Sequence, residues 1–445
     1  MPPFRPVGVG SRTVVKSGRR GNERRLGPLF PPARWHALGR LGIHACMLPP
    51  RVAALLLAGL LGALVSFETR AQIEKLPRPD TIKAASFGVS VAIDDSIAVV
   101  GASGASVCGD NAGAVFVYER QPGPLVTSWA LTARLAPRPC QADAFFGADV
   151  ALSGSRLLVS ASSEGFAGKG ENAAYVFERS ADSTWMQTAR LTGPSDRQDG
   201  LFGAGVALNG DRAAVSTSGN PDGAYGGSVY VYEHDSAADS WTRTARLRAR
   251  HSPESGILGG DVALDGRHLA VAASTYFERE PGSAYVFRYD PATNRWREDA
   301  HLQDIDAFFI DLDLYDTTLV VGEDQAGDDG SGSATVYTRG DSTWTRSTTL
   351  RPSIPYESGA FGATVALHDR RALITGYDEQ LGNETNIDRV VYVFRRRAEG
   401  EWRERTILDL GTVDFGASLD LDGRIALVGA VSDDESGTAY ITRVP

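Results

Sequence analysis

The sequence predicts an all-β protein: a seven-bladed β-propeller of four-stranded antiparallel blades, with the last blade closed by the N-terminal strand. Three observations lead to this prediction. A segment recurs seven times, each recurrence holds four strand-like runs, and a tryptophan keeps one position in the repeat. Repeats of this length that contain four short strands are typical of propellers.

The repeat begins with Phe-Gly in five of its seven copies. FGVSVAIDDSIAVVGAS, for example, recurs as FGADVALSGSRLLVSAS. The seven copies start near residues 87, 146, 202, 258, 309, 361 and 415. We expect the phenylalanine to fill the wedge between neighbouring blades, and the glycine to allow close backbone approach near the hub.

The remaining strands of each copy follow at regular positions. Alternating apolar and polar residues mark the strands, and pairs such as Ser153-Gly154 and Asn209-Gly210 mark the tight turn between the first two. In six copies a tryptophan opens the fourth strand: Trp129, Trp185, Trp241, Trp296, Trp344 and Trp402. The seventh copy lacks this strand, and residues 72 to 77 match its end, so we expect both ends of residues 72 to 445 to share one blade.

Charge divides the chain into two regions. Residues 1 to 71 carry eleven Lys or Arg and two Glu, a net charge of +9, and subtracting this from the formal −10 leaves −19 for residues 72 to 445. A body this acidic repels phosphate backbones, so nucleic acid is not an expected partner.

Residues 47 to 71 have the pattern of a signal peptide. Arg51 precedes an apolar run over residues 52 to 67, and small residues lead to an expected cleavage between Ala71 and Gln72. The run is shorter than the roughly 20 residues of a membrane span, so we expect no stable span after its removal, with a retained anchoring helix as the alternative. We expect residues 1 to 46 to be a disordered extension or a misassigned start, and the protein to be secreted, periplasmic or on the cell surface.

Two cysteines lie beyond this leader. Cys108 and Cys140 fall in two long loops on the same side of the first blade. Two cysteines in an exported domain favour one disulfide, and the alternative is a pair of buried free thiols.

These motifs resemble the FG-GAP repeat family, whose members include the head propeller of integrin α-subunits. They resemble the bacterial secreted members more closely than the integrins. The resemblance covers residues 72 to 445. Gly101-Ala102-Ser103 and Gly429-Ala430-Val431 keep the Gly-Ala of the family motif without its proline. The resemblance implies a seven-bladed propeller, extracellular use, and adhesion or ligand binding, with no catalytic residues.

Integrin-type repeats hold calcium in an Asp-x-Asp-x-Asp-Gly loop, and no such loop occurs here. The nearest approaches are acidic turns that contain Asp324, Asp328, Asp329, Asp433 and Asp434. Calcium binding and plain solvation are the two interpretations of these turns, and we expect no required cofactor.

A second candidate site lies where the first strands meet at the hub. The third residue after the start of each copy, or its gapped equivalent in the fifth copy, forms a polar ring there, which includes Asp149, Asp261 and Asp311. These carboxylates could hold a cation or a ligand amine, or they could hydrogen-bond water and backbone at the strand starts.

Together the patterns favour a monomeric binding or adhesion module that presents its loop-rich face to a protein or glycan. The alternatives are an extracellular carbohydrate-active enzyme that uses aspartates near the hub, and a passive structural unit. No nucleophile elbow, metal-binding histidine pair or phosphate loop occurs, so we expect a protein that is not an enzyme. The adhesion-like segment Arg339-Gly340-Asp341-Ser342 occupies the place of a plain turn in the repeat.

Overall fold

The computed structural model describes residues 73–79, 86–123, 128–162, 172–193, 201–218, 226–250, 256–275, 281–307, 310–383, 386–412, 414–431 and 436–445. These residues form seven four-stranded antiparallel sheets, which are the blades of a propeller and confirm the predicted fold class. The expected leader and the cleavage site at Ala71 and Gln72 lie outside the described residues.

The strands follow the chain from blade to blade after β1 (Glu74–Lys75). Blade 1 contains β2 (Phe87–Asp94), β3 (Ile97–Ala102), β4 (Ala114–Gln121) and β5 (Ser128–Leu135). Blade 2 contains β6 (Phe146–Ser153), β7 (Arg156–Ala161), β8 (Ala173–Arg179) and β9 (Trp185–Thr192). Blade 3 contains β10 (Leu201–Asn209), β11 (Arg212–Ser218), β12 (Ser228–Asp235) and β13 (Ser240–Leu247).

The same order continues through the second half. Blade 4 contains β14 (Gly256–Asp265), β15 (His268–Thr275), β16 (Gly282–Asp290) and β17 (Arg295–Ile305). Blade 5 contains β18 (Leu312–Tyr315), β19 (Thr318–Glu323), β20 (Ser333–Arg339) and β21 (Trp344–Leu350). Blade 6 contains β22 (Val365–His368), β23 (Arg371–Asn383), β24 (Asn386–Arg396) and β25 (Trp402–Leu408). Blade 7 contains β26 (Phe415–Asp422), β27 (Ile425–Ala430), β28 (Thr438–Arg443) and β1.

The apolar core lies between the blades rather than within any one of them. Phe146, the first residue of blade 2, is fully buried and packs with Val99 and Val115 of blade 1. Gly147 follows it with a positive φ of 88°, and a Cβ there would lie 2.7 Å from the carbonyl oxygen of Ala114. The predicted roles of the Phe-Gly pair are therefore confirmed, because only glycine combines this φ with so close an approach.

The repeated tryptophans pack across the seams between blades. Trp185 of blade 2 shares a buried cluster with Ile97, the first residue of the second strand of blade 1. Arg156 holds that strand position in blade 2, and its guanidinium lies 5.9 Å from the ring centre of Trp241 in blade 3. Each contact couples the outer strand of one blade to an inner strand of the blade before it.

The ring closes through the N-terminal strand, as predicted. In β1, Glu74 pairs with Ile441 of β28, so this strand is the fourth of blade 7. Leu76 follows directly, is fully buried, and donates its backbone N–H to the carbonyl of Ala439 at 2.9 Å. The first and the last described segments of the chain therefore complete one sheet.

Strand order gives the propeller two faces. The long-loop face carries the connections between second and third strands and the connections between blades, and the turn face carries the other connections. In blade 6 the connection between the second and third strands is mostly strand, because Tyr377 pairs with Arg389 and the hairpin of β23 and β24 continues to Asn383.

Substituting Leu76→Ala should destabilise the whole propeller, because it opens a cavity at the closure. We expect the free energy of unfolding to fall by about 2–5 kcal/mol, measured by urea denaturation. Lys75→Ala, at an exposed position of the same strand, is the matched control and should change it by less than about 0.5 kcal/mol. Equal stability of the Leu76→Ala and Lys75→Ala proteins would contradict closure by β1.

Candidate functional site

The first strands of all seven blades surround a central channel of about 560 Å³. Asp149, Asp261 and Asp311 line this channel, as predicted, each half-buried. The channel wall also includes Ser90, Thr364 and Ser418 at the same place in the repeat. The predicted polar ring therefore exists at the hub.

The three predicted carboxylates connect neighbouring blades. Asp149 accepts the backbone N–H of Val150 through Oδ1 at 2.9 Å, and through Oδ2 it accepts that of Val206, in the next blade, at 2.7 Å. Asp261 accepts from Leu312 at 2.8 Å and Asp311 accepts from Val365 at 2.6 Å, again in the next blade. Of the two predicted roles, backbone hydrogen bonding is thus the one that the described contacts display.

Two further hub carboxylates, Asp313 and Asp420, were missed from the sequence. Asp313 accepts the N–H of Leu367 at 2.6 Å, and Asp420 accepts that of Ile93 at 2.6 Å, which joins blade 7 to blade 1. Both occupy the middle position of a Val-Ala-Leu triplet that other copies retain, for example at residues 150–152. The aspartate that replaces this alanine was the sequence signal from which both residues could have been predicted.

Every seam carries such a polar contact, which we call a hub clasp: a side chain on or beside the inner strands of one blade, bonded to the next blade. Between blades 1 and 2, the Asp94 carboxylate accepts the N–H of Gly154 at 2.5 Å. Between blades 3 and 4, the Asn209 side-chain oxygen accepts the N–H of Gly266 at 3.3 Å. Between blades 6 and 7, Thr375 donates its hydroxyl to Gly416 O at 3.0 Å. The clasps point in one direction around the ring.

Burial in the channel wall raises the pKa of these carboxyls. The pKa of Asp149 rises to about 7, because burial outweighs its two backbone hydrogen bonds, and those of Asp261 and Asp420 rise to about 6 for the same reason. The pKa values of Asp311 and Asp313 are also raised, by burial first and then by neighbouring carboxylates. The hub carboxyls are therefore protonated at higher pH than ordinary aspartates.

The acidic turn of blade 5 is held by local hydrogen bonds. Gln325 approaches Asp324, and the Asp329 carboxylate accepts the N–H of Ser331 at 3.0 Å, which with the Ser331 hydroxyl lowers the pKa of Asp329. No group of three His, Cys, Asp or Glu suited to a metal ion occurs in the part of the chain that the structure describes, so Asp324, Asp328 and Asp329 are not brought together. Asp433 and Asp434 lie outside the described residues.

Around blade 1 the long-loop face is cross-linked. A disulfide joins Cys108 to Cys140, as predicted, and so ties the loop over residues 103–113 to the connection over residues 136–145. Asp143 N donates to Asp110 O at 2.7 Å, Phe145 N to Asn111 O at 3.0 Å and Phe146 N to Ala112 O at 3.2 Å. We call these two segments the locked loops.

A second pair of connections on this face is joined without a disulfide. The loop over residues 324–332 in blade 5 meets the connection over residues 351–364. Ser358 N donates to Asp329 O at 2.9 Å, and Phe361 N donates to Ser331 O at 3.1 Å. Both pairs hold irregular backbone through hydrogen bonds to a neighbouring connection, which fixes the shape of this part of the face.

The adhesion-like tripeptide has a packing role. Arg339 donates its Nε to Asp299 of blade 4 at 2.8 Å, and its side chain is only 12% exposed. Trp344 also donates to Asp299, and Gly340 N closes the turn onto Thr343 O. The plain-turn interpretation accounts for all these contacts.

The stability of the protein should increase as pH falls from 8 to 5. An aspartate whose pKa in the fold lies above the roughly 3.9 of an unfolded chain favours folding when protonated, so the free energy of unfolding rises as pH falls through 7 and 6. His268, whose pKa is lowered by burial, opposes this below about pH 6.5, but five carboxyls outnumber it.

Urea denaturation at pH 8, 7, 6 and 5 measures the effect. Asp149→Asn should flatten the rise between pH 8 and 6, and Asp182→Asn, at an exposed turn, is the matched control that should keep it. Stability that falls steadily from pH 8 to 5 in the unsubstituted protein would contradict the assignment of raised pKa values to the hub.

Three segments of the chain match a known repeat family, and their bounds correspond to the strand order of the blades. The FG-GAP repeat family matches residues 71–118, 129–177 and 185–232. None of the curated proteins compared with the chain matches it. Each matched segment starts at the fourth strand of one blade and ends in the third strand of the next, and blades 4 to 7 repeat that strand order. The chain is therefore a seven-bladed β-propeller that contains three segments matching the FG-GAP repeat family.

Proposed function

We propose that the protein is an exported binding or adhesion module whose long-loop face holds a protein or glycan ligand. The locked loops carry this proposal. A disulfide and backbone hydrogen bonds fix their conformation before any ligand arrives. Binding then costs less conformational entropy, which is how a loop surface gains affinity. Binding residues of propeller-like scaffolds lie on such loops.

Export is part of this proposal. A disulfide persists in oxidising compartments and is rare in the cytosol of most organisms, which supports an extracellular or periplasmic location. Within the described residues, no helix has the length and apolar character needed to cross a membrane. The signal-peptide pattern before Gln72 remains the sequence feature that supports secretion.

The proposal assigns no catalysis to the hub. A catalytic carboxylate needs an oxygen that can reach substrate. At Asp149 both oxygens already accept backbone N–H groups, and the same holds for Asp261. These contacts support a structural role for the residues on which the enzymatic alternative depends.

The test compares one loop variant with one hub variant. The full chain is screened against a panel of purified extracellular proteins and polysaccharides, and any ligand found is titrated by calorimetry. Cys108→Ser with Cys140→Ser should weaken binding about tenfold, because roughly 1.4 kcal/mol of loop ordering is then required on binding. The same double variant should lose about 3 kcal/mol of stability and stay folded, as circular dichroism would report.

Asp149→Asn is the matched control, because it changes the hub and leaves the locked loops intact. Its ligand affinity should stay within twofold of the unsubstituted protein. Turnover of a polysaccharide that disappears in Asp149→Asn, with binding unaffected by the cysteine substitutions, would contradict the proposal and favour the enzyme.

A further inference from the structure

One cross-strand position on the turn face carries opposite charges in blades 2 and 3. Arg156 on β7 pairs with Glu178 on β8, with Nε 2.7 Å from Oε1. Arg212 on β11 pairs in the same way with Glu233 on β12 at 2.8 Å. Blades 2 and 3 therefore share one arrangement at this position, an arginine facing a glutamate.

Blades 6 and 7 depart from that arrangement. Arg371 on β23 faces Arg395 on β24, two like charges directly opposite each other. In blade 7, Arg443 replaces the glutamate and faces Ile425. Like charges at such positions destabilise a sheet, so the propeller tolerates a cost here that its own blades 2 and 3 avoid.

The arginines of blades 6 and 7 also affect each other. The pKa of the Arg371 guanidinium is lowered, first by burial and then by Arg395 and Arg424, while Asp369 opposes the effect. In blade 4, Arg288 occupies the position that a glutamate holds in blades 2 and 3, and its Nε lies 3.5 Å from the Asp299 carboxylate. Arg395 and Arg443 have no ion-pair partner among the described residues and are exposed.

A groove of about 470 Å³ runs along the seam between blades 7 and 1 on the same face. Arg120, Arg424 and Arg443 line it, and Trp129 and Ile441 contribute apolar surface. Glu74, Asp95 and Asp422 also line it, with Asp95 3.5 Å from Arg120 and Asp422 3.4 Å from His368. Arg424 belongs both to this groove and to the cluster around Arg371, so the two are continuous.

The partner that fits this surface is a hydrophilic polyanion. Protein interfaces depend on apolar anchors, and the large exposed hydrophobic side chains of the described residues, Leu131, Met186 and Ile354, do not line the groove. The charge of −19 over residues 72 to 445 opposes any polyanion, and it opposes the closely spaced phosphates of nucleic acid more strongly than the more widely spaced carboxylates of a polysaccharide. Arginine forks match carboxylates with two parallel hydrogen bonds, and five arginines over three blades match charges repeated along a chain.

We propose that the arginine groove, formed by Arg120, Arg371, Arg395, Arg424 and Arg443, binds a linear polysaccharide that carries carboxylates. This surface lies on the turn face, opposite the locked loops, and is a second binding surface. The sugar carboxylates replace the glutamates that blades 2 and 3 supply internally. Binding is electrostatic and weakens as salt increases.

The experiment titrates the full chain with polygalacturonate oligosaccharides and follows binding by calorimetry at 50 and 300 mM salt. Arg395→Glu and Arg443→Glu should each weaken binding at least tenfold at 50 mM salt. Arg395→Glu also recreates the arginine-glutamate pair of blades 2 and 3, so its thermal midpoint should equal or exceed that of the unsubstituted protein. Loss of affinity without loss of stability separates a binding role from a structural one.

Arg297→Glu in blade 4 is the matched control, because it makes the same change of charge at an exposed position away from the groove. Its affinity for polygalacturonate should stay within twofold of that of the unsubstituted protein. The double variant Cys108→Ser with Cys140→Ser should also keep that affinity, which distinguishes this surface from the long-loop face. No binding of polygalacturonate, or equal binding by all variants, would overturn the proposal. Tighter binding of polyglutamate or of heparin than of polygalacturonate would also overturn it, in favour of an acidic protein or a sulfated glycan.

Discussion

Each blade of this propeller is bonded to the next through hub clasps, and the other features of the ring depend on them. A closed ring needs seven good seams, because one open seam exposes two sheet faces and their apolar side chains to water. The clasps place aspartate, asparagine, serine or threonine oxygens against the backbone of the neighbouring blade. Asp420, bonded to Ile93, performs this role at the seam where the chain must return to its start.

The clasps give the hub its chemical character. In the channel wall, burial raises the pKa values of these carboxyls more than their backbone hydrogen bonds lower them, and the pKa of Asp149 rises to about 7. The cluster of aspartates at the hub, and their raised pKa values, are therefore consequences of how the ring assembles. The two binding surfaces that we propose lie at the periphery, the locked loops on one face and the arginine groove on the other.

Much of the fold was predictable, since its signals are local and repeated. Phe-Gly, the turn pairs and Trp185 with its equivalents each report a fixed position in a blade, and β1 was identified because one copy of the repeat lacked a strand. The role of the tryptophans at the seams was not predictable, because Ile97 and Trp185 meet only when two blades pack. The candidate site was harder to predict, because its contacts also form only between different strands or blades. Asp313 was missed because its partner Leu367 lies in another blade, and the facing of Arg371 and Arg395 requires the strand register.

The most direct test of the clasp account is hydrogen exchange across the ring in Asp420→Ala and in the unsubstituted protein. The substitution removes one of three clasps at the seam between blades 7 and 1, where Ser418 and Asp422 also bond to the backbone of blade 1. If clasps make the seven blades a single cooperative unit, the free energy of exchange should fall equally at Leu76 in blade 7, whose amide keeps its acceptor, and at the remote amide of Val206 in blade 3. A loss of protection confined to blades 7 and 1, with Val206 unchanged, would contradict the account.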